Sequence, residues 1–132
     1  MSAVVDASVA AQWVLQQELS KRADALRGED GLIAPSLIAA ELGNAIWKAV
    51  RWGNVSRAEA GAALNAALLP FDSLVGEETL CVRALAFSIE FAHPIYDCFY
   101  LALAERENVP LVTFDETMIA AARKAKIKVR RI

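Results

Sequence analysis

Ala3-Val4-Val5-Asp6-Ala7-Ser8-Val9 decides how the chain is to be read. Three apolar residues make a short strand, an acid follows, and Ser8 stands where a helix N-cap belongs, ahead of a helix over residues 9–17. The same order returns near the other end. Leu111-Val112-Thr113 is an apolar strand, Asp115 follows closely, and a helix is expected from Glu116 to Ala125. Between these two units the spacing predicts a helix from about Ser20 to Arg27 and a brief strand from Leu32 to Ala34. A long helix then starts at Pro35-Ser36, runs to about Trp52 and carries an apolar stripe of Leu37, Ala40, Ile46, Trp47 and Val50. Ser56 and Glu59 have capping-box spacing for a helix that Pro70 closes, and Phe71 to Leu74 is a further strand candidate. Helices follow from Gly76 to Phe91 and from Ile95 to Glu107, and Ile127 to Arg130 forms a last short strand. Strands separated by helices pair in parallel through right-handed crossovers, which gives a three-layer α/β/α sandwich. Ligands in such folds bind beyond the carboxyl ends of the strands, where Asp6 and Asp115 both belong.

Bulk composition narrows the function classes. A chain of 132 residues that is 56% hydrophobic and 23% charged carries enough apolar surface for one packed domain over 1–132. Cys81 and Cys98 are too few for a disulfide framework and lack the spacing of a zinc site, so they read as reduced thiols. No secretory pattern opens the sequence and no apolar run is long enough for a bilayer, so the expectation is a soluble, cytoplasmic protein without a membrane role. The net charge of -2 gives no overall attraction to nucleic acid. Charge is nevertheless segregated, with Arg123, Lys124, Lys126, Lys128, Arg130 and Arg131 crowded into the tail. That tail reads either as a solvated, aggregation-resistant edge or as a surface for RNA.

Four acids carry the chemistry. Asp97 stands among apolar and aromatic neighbours in Ile95-Tyr96-Asp97-Cys98-Phe99-Tyr100, and a buried carboxylate needs a partner. That partner is either the free amides of the helix start after Pro94 or a cation. Asp6 and Asp115 have similar double readings, as local caps or as ligands. Glu41 is harder to explain structurally. It shares a helix face with Asn44, and from Leu37 to Trp47 these two are the only strongly polar residues. Clustered carboxylates repel unless a cation neutralises them, and an oxygen-only donor set suits Mg2+, with Mn2+ as an alternative, rather than zinc. His93 has no second histidine to complete a catalytic pair and reads as structural. No phosphate-binding glycine loop, GxSxG elbow or Cys-His pair supports nucleotide binding or acyl transfer.

These residues resemble the PIN domains, and within them the VapC toxins of bacterial and archaeal toxin-antitoxin pairs. Val4-Val5-Asp6-Ala7-Ser8-Val9 is similar to the first motif of that family. Ala34-Pro35-Ser36-Leu37 through Glu41-Leu42-Gly43-Asn44-Ala45 is similar to the second, Tyr96-Asp97 with Leu101-Ala102-Leu103-Ala104 to the third, and Leu111-Val112-Thr113-Phe114-Asp115 to the fourth. Many members carry Thr where this chain has Ala7. The resemblance implies a central parallel sheet of four to five strands, a homodimer, and a magnesium-dependent endoribonuclease leaving a 5′-phosphate and a 3′-hydroxyl. It implies Asp6 and Asp97 as the main metal ligands, Asp115 and Glu41 completing the acidic pocket, and Ser8, Asn44 and Thr113 in support. It also implies a small VapB-like antitoxin partner and an RNA substrate. Other readings of the same residues are a non-catalytic PIN-fold interaction module or a PIN nuclease outside toxin-antitoxin systems. A phospho-receiver domain would want adjacent acids after the first strand, which Val5-Asp6-Ala7 does not offer. Trp13, Trp47 and Trp52 are candidates for a dimer or antitoxin surface, with core packing as the alternative for at least one.

Overall fold

The computed structural model describes residues 2–15 and 18–132. Strand β1 (Ala3–Val5) pairs in parallel with β2 (Leu32–Pro35) on one side and β4 (Leu111–Val112) on the other, and β3 (Ser73–Val75) lies beyond β2. All three residues of β1 are fully buried, which is why it reads as a continuous apolar run rather than an alternating one. The order β3-β2-β1-β4 means that the chain builds outward from β1 in one direction and later returns to its free edge. Strand order therefore reverses between β1 and β4, the position where open parallel sheets gather their ligands. Asp6 leaves β1 at this point and Thr113 leaves β4, and the Asp6 amide donates to the Val112 carbonyl at 3.0 Å.

Among the described residues seven α-helices flank the sheet: α1 (Ala7–Ala10), α2 (Ser20–Asp24), α3 (Leu37–Arg51), α4 (Arg57–Leu68), α5 (Cys81–Phe91), α6 (Ile95–Glu107) and α7 (Glu116–Lys124). Helix α6 packs across β2, β1 and β4 and is covered in turn by α5. Seven consecutive residues, Cys98 to Ala104, are buried, as expected of a helix enclosed on all sides. Arg83 of α5 clasps Glu105 of α6 through two hydrogen bonds of 2.7 and 2.9 Å.

Several local expectations need correction. The long helix α3 forms where expected, but the buried stripe is Ile38, Leu42, Ile46 and Ala49. Of the stripe read from the sequence only Ile46 is in the core, while Ala40 is exposed and Trp47 is 55% exposed beneath the Arg51 guanidinium. The inward face is turned by about one residue, roughly 100° of helix, and α3 packs on α4 as well as on α1 and β2. Ser8 does not cap α1. Asp6 does, accepting from the Ala7 amide, and the helix is a single turn followed by a 3-10 turn over Ala11–Trp13. Gln16 and Gln17, the expected end of that helix, lie outside the described residues. Asp115 caps α7, the local reading that the sequence allowed it. The final strand reduces to one parallel bridge between Leu111 and Val129, since β4 is only two residues long. Arg130 in that tail is held by Glu29 through bonds of 2.8 and 2.7 Å. Trp13 is a core residue whose indole donates to the Ala23 carbonyl, whereas Trp47 and Trp52 are exposed. Among the described residues no helix is long and apolar enough to cross a membrane.

Candidate active site

Asp6 is the most constrained acid at the strand reversal, with 5% of its surface exposed. Its Oδ1 accepts from the Ala7 amide at 2.7 Å, and its Oδ2 accepts from the hydroxyls of Ser8 (2.8 Å) and Thr113 (2.7 Å). The direction of these hydroxyls is set from behind. The Phe114 amide donates to Ser8 Oγ and the Asp115 amide to Thr113 Oγ1, each at 3.0 Å. With those lone pairs occupied, both hydroxyl protons turn toward Asp6, and the 3.3 Å approach of the two oxygens is a contact rather than a further bond. Ser8 and Thr113 thus hold Asp6 and tie the start of α1 to the end of β4.

Glu41 reaches the same place from α3. Its Oε1 accepts the Tyr100 hydroxyl at 2.6 Å, and burial, with Asp6 and Asp97 adding repulsion, pushes its carboxyl up to about 7. Asp97, in the first turn of α6, caps no backbone amide; its Oδ2 lies 2.7 Å from His93 Nε2. Burial raises Asp6 against the pull of its hydrogen bonds, and the charge of Asp97 raises it further. Tyr100 is fully buried and surrounded by these charges, which together with its own burial keep the phenol protonated far above its ordinary range. The structure therefore brings Asp6, Glu41 and Asp97 into mutual repulsion around Tyr100.

Asp115 stands one step away. Its Oδ1 is engaged by the Thr117 and Met118 amides at 2.9 and 3.4 Å, its charge is not among those raising the other acids, and its link to Asp6 runs through Thr113. Asn44 is exposed on α3 and makes no hydrogen bond among the described residues. Sequence reasoning missed Tyr100, which looked like one more apolar neighbour of Asp97. It assigned His93 a structural part without seeing that the part is to orient Asp97. No helical spacing signalled this pair, because His93 precedes the N-cap Pro94 and lies outside α6.

The donor set fits a hard divalent ion. No three Asp, Glu, His or Cys side chains among the described residues already enclose one ion, but magnesium is usually held by one or two carboxylates, with waters and substrate phosphates completing the shell. A carboxylate has about four lone-pair sites. Among the described residues Asp6 has three donors on it, whereas Asp97 has only His93 and Glu41 only Tyr100, so Asp97 and Glu41 retain more capacity for a ligand.

Stability should carry the mark of this repulsion. Asp6 and Glu41 both have carboxyls raised in the folded state, so the folded chain holds more protons than the unfolded one above the ordinary carboxylate range, in the case of Glu41 up to about 7. Stability in the absence of metal should fall as pH rises through that window. Glu29 and Glu105, which are lowered by Arg130 and Arg83, act oppositely but in a more acidic window. Thermal melts in chelator from about pH 5 to 8 check the sign, and added Mg2+ should raise the melting temperature more at the alkaline end, because binding displaces protons.

The sequence profile of the PIN domain matches residues 3–124. The chain belongs to the PIN domain family. This PIN domain is 34% identical over 90 residues to "Ribonuclease VapC1" of Mycobacterium tuberculosis, a match spanning 67% of this chain and 65% of that protein. It is 32% identical over 121 residues to "Ribonuclease VapC3" of Pyrobaculum aerophilum, spanning 89% and 92% of the two chains. Its fold is similar to the crystal structure of PAE2754 from the same archaeon, with a TM-score of 0.73, 29% sequence identity, and coverage of 92% of this chain and 79% of that one.

Proposed function

We propose that this PIN domain is a divalent-metal-dependent endoribonuclease that acts as the toxin of a toxin-antitoxin pair, with residues 1–132 working as one unit. The observation that carries the reading is the convergence of Asp6, Glu41 and Asp97 at the strand reversal, where their repulsion is relieved only by protons or by a cation. Asp97 and Asp6 would hold Mg2+ or Mn2+, with Glu41 and Asp115 closing the pocket around it. When bound, the ion lowers the pKa of water and offsets charge on the scissile phosphate. Asp6, held by three donors, supplies a fixed negative site, and His93 orients Asp97. Glu41 is poised near neutrality and can hold a proton on Oε2, the oxygen that Tyr100 leaves open.

An antitoxin and a second copy of the chain complete the proposal. A groove of about 760 Å3 between α3 and α4 is lined by Ile46, Trp47, Val50 and Leu64 and edged by Arg51 and Arg57. It suits an apolar antitoxin segment with acidic flanks. Along α5, Val82, Leu85 and Ile89 repeat at helical spacing and are largely exposed, a face suited to self-association. Cys81 and Cys98 are both free thiols, which agrees with a reducing, cytoplasmic setting. The reading is tested by incubating the purified protein with structured and single-stranded RNAs. Internal cuts should appear with Mg2+ or Mn2+ and stop with chelator, and cleavage that persists in chelator would overturn the metal mechanism.

A further inference from the structure

Beside the acids, on the side of Ser8 and Asp115, lies a second cleft of about 440 Å3 that the carboxylates leave unexplained. Its walls include Ser8, Asp115 and Phe114 on one side and Lys48 and Trp52 on the other. Lys48 sits in the last turn of α3 and Trp52 follows as the C-cap, so their spacing of four residues places both on one face. Trp52 is 76% exposed, a large solvent cost for an indole with no packing partner, and it makes no ring contact among the described residues. Several cations elsewhere on the molecule are engaged. Arg83, Arg130 and Arg27 have carboxylate partners, Arg22 donates to the Ile132 carbonyl, and Arg51 lies over Trp47. Lys21, Arg57, Arg123, Lys124, Lys126, Lys128 and Arg131 are, like Lys48, without an ion pair among the described residues, and of these Lys48 is the one that lines this cleft.

An unpaired lysine and an unpacked indole, on a wall facing the outer acid and the hydroxyl that holds Asp6, have the composition of a single-stranded nucleic-acid subsite. A π-face stacks one base and a point charge takes the adjoining phosphate. The position also meets an electrostatic need. An acidic pocket repels the phosphates on either side of the cut, so a polyanion must find its attraction close by. We propose that the cleft between Trp52 and Asp115 binds the nucleotide next to the scissile phosphate of a single-stranded RNA, its base stacked on Trp52 and its phosphate on Lys48. The proposal rests on the nuclease reading for the meaning of "scissile", but it can be tested by binding alone.

The test uses anisotropy of a short fluorescein-labelled single-stranded RNA of mixed sequence, on the full chain carrying Asp97→Asn so that the probe survives. Adding Trp52→Ala should weaken binding about tenfold, since stacking contributes roughly 1–3 kcal/mol per base. Trp52→Phe should restore most of that loss, and Lys48→Ala should lower the slope of log K against log salt by about 0.7. Trp47→Ala, in the other groove, should bind like its parent. Unchanged affinity in both Trp52→Ala and Lys48→Ala, equal weakening by Trp47→Ala, or no RNA binding by the parent would each overturn the subsite. A duplex probe that binds as tightly and depends equally on Trp52 would overturn it too, because paired bases cannot stack there. If the parent binds through Trp52 while the wild-type chain cuts no RNA in metal, the subsite stands and the nuclease reading fails.

Discussion

Asp97→Asn is expected to abolish metal-dependent RNA cleavage, a loss on the order of 10^3-fold or more, while the protein folds as before. The substitution keeps the shape of the side chain and removes the charge. Asp97 makes one polar contact, to His93 Nε2, and an imidazole can change its tautomer to meet an amide as readily as a carboxylate. Removing one of three mutually repelling charges also relieves strain in the metal-free state, so no fall in melting temperature is expected.

Asp6→Asn should lose as much activity but should not be equally silent in folding. The amide has one accepting oxygen where the carboxylate has two. If that oxygen continues to cap Ala7, the NH2 group faces two hydroxyls whose protons are already directed at it by the Phe114 and Asp115 amides. If the amide flips, it meets the Ala7 N–H instead. Either way a buried donor loses its acceptor, at a cost of about 1–3 kcal/mol. Charge relief works in the other direction and is larger for Asp6, which is the more deeply buried of the two, so the comparison weighs that relief against the lost hydrogen bonds. Circular dichroism melts should place Asp6→Asn below Asp97→Asn. Equal or higher melting of Asp6→Asn would show that the three donors on Asp6 do not outweigh the cost of burying its charge, and retained cleavage in either variant would remove that acid from the site.

The different fates of the two acids mark what was legible in the sequence. Val4-Val5-Asp6 and Leu111-Val112-Thr113 announced two strands with polar residues at their ends, and parallel pairing follows from alternation with helices, whereas the order β3-β2-β1-β4 and its reversal between β1 and β4 come from the structure. What the pattern did not carry was side-chain direction. Asp6, Asp97 and Asp115 each had a capping reading and a ligand reading. The structure gives caps to Asp6 and Asp115 and none to Asp97, a distinction set by where each helix begins: Asp6 and Asp115 are themselves the extended N-cap residues, whereas Asp97 is the third residue of α6, behind the N-cap Pro94. The inward face of α3 was misjudged: Ile38, Leu42, Ile46 and Ala49 are the residues that go inward, and Trp47 stays in solvent. Tyr100 was unreadable for a related reason. A tyrosine in an apolar run signals burial, but its hydroxyl finds Glu41 fifty-nine positions away, and no local spacing records such a pairing.

Thr113→Val is expected to be among the most destabilising single changes at the site, by about 3 kcal/mol. Thr113 is 6% exposed, and its hydroxyl makes two bonds that water cannot replace, donating to Asp6 Oδ2 and accepting from the Asp115 amide. Valine fills the same space and supplies neither. The bond to a carboxylate accounts for roughly 1.5–3 kcal/mol and the orphaned amide for a further 1–3 kcal/mol, partly offset by the gain of an apolar methyl. Ser8→Ala removes the parallel hydroxyl, and since both act on the same oxygen of Asp6 the double variant should depart from additivity. Thr113→Ser should recover most of the loss, because it restores the hydroxyl without the methyl. Urea unfolding of the four variants beside the wild type reads all of this, and a Thr113→Val midpoint equal to the wild type would refute it. The expectation follows from topology. At the reversal the neighbouring strands β1 and β4 deliver their next residues to opposite flanking elements, α1 and α7, so the sheet itself does not bind Asp6 to Asp115. The Thr113 hydroxyl makes that connection, and its loss should loosen Asp6 and the start of α7 together.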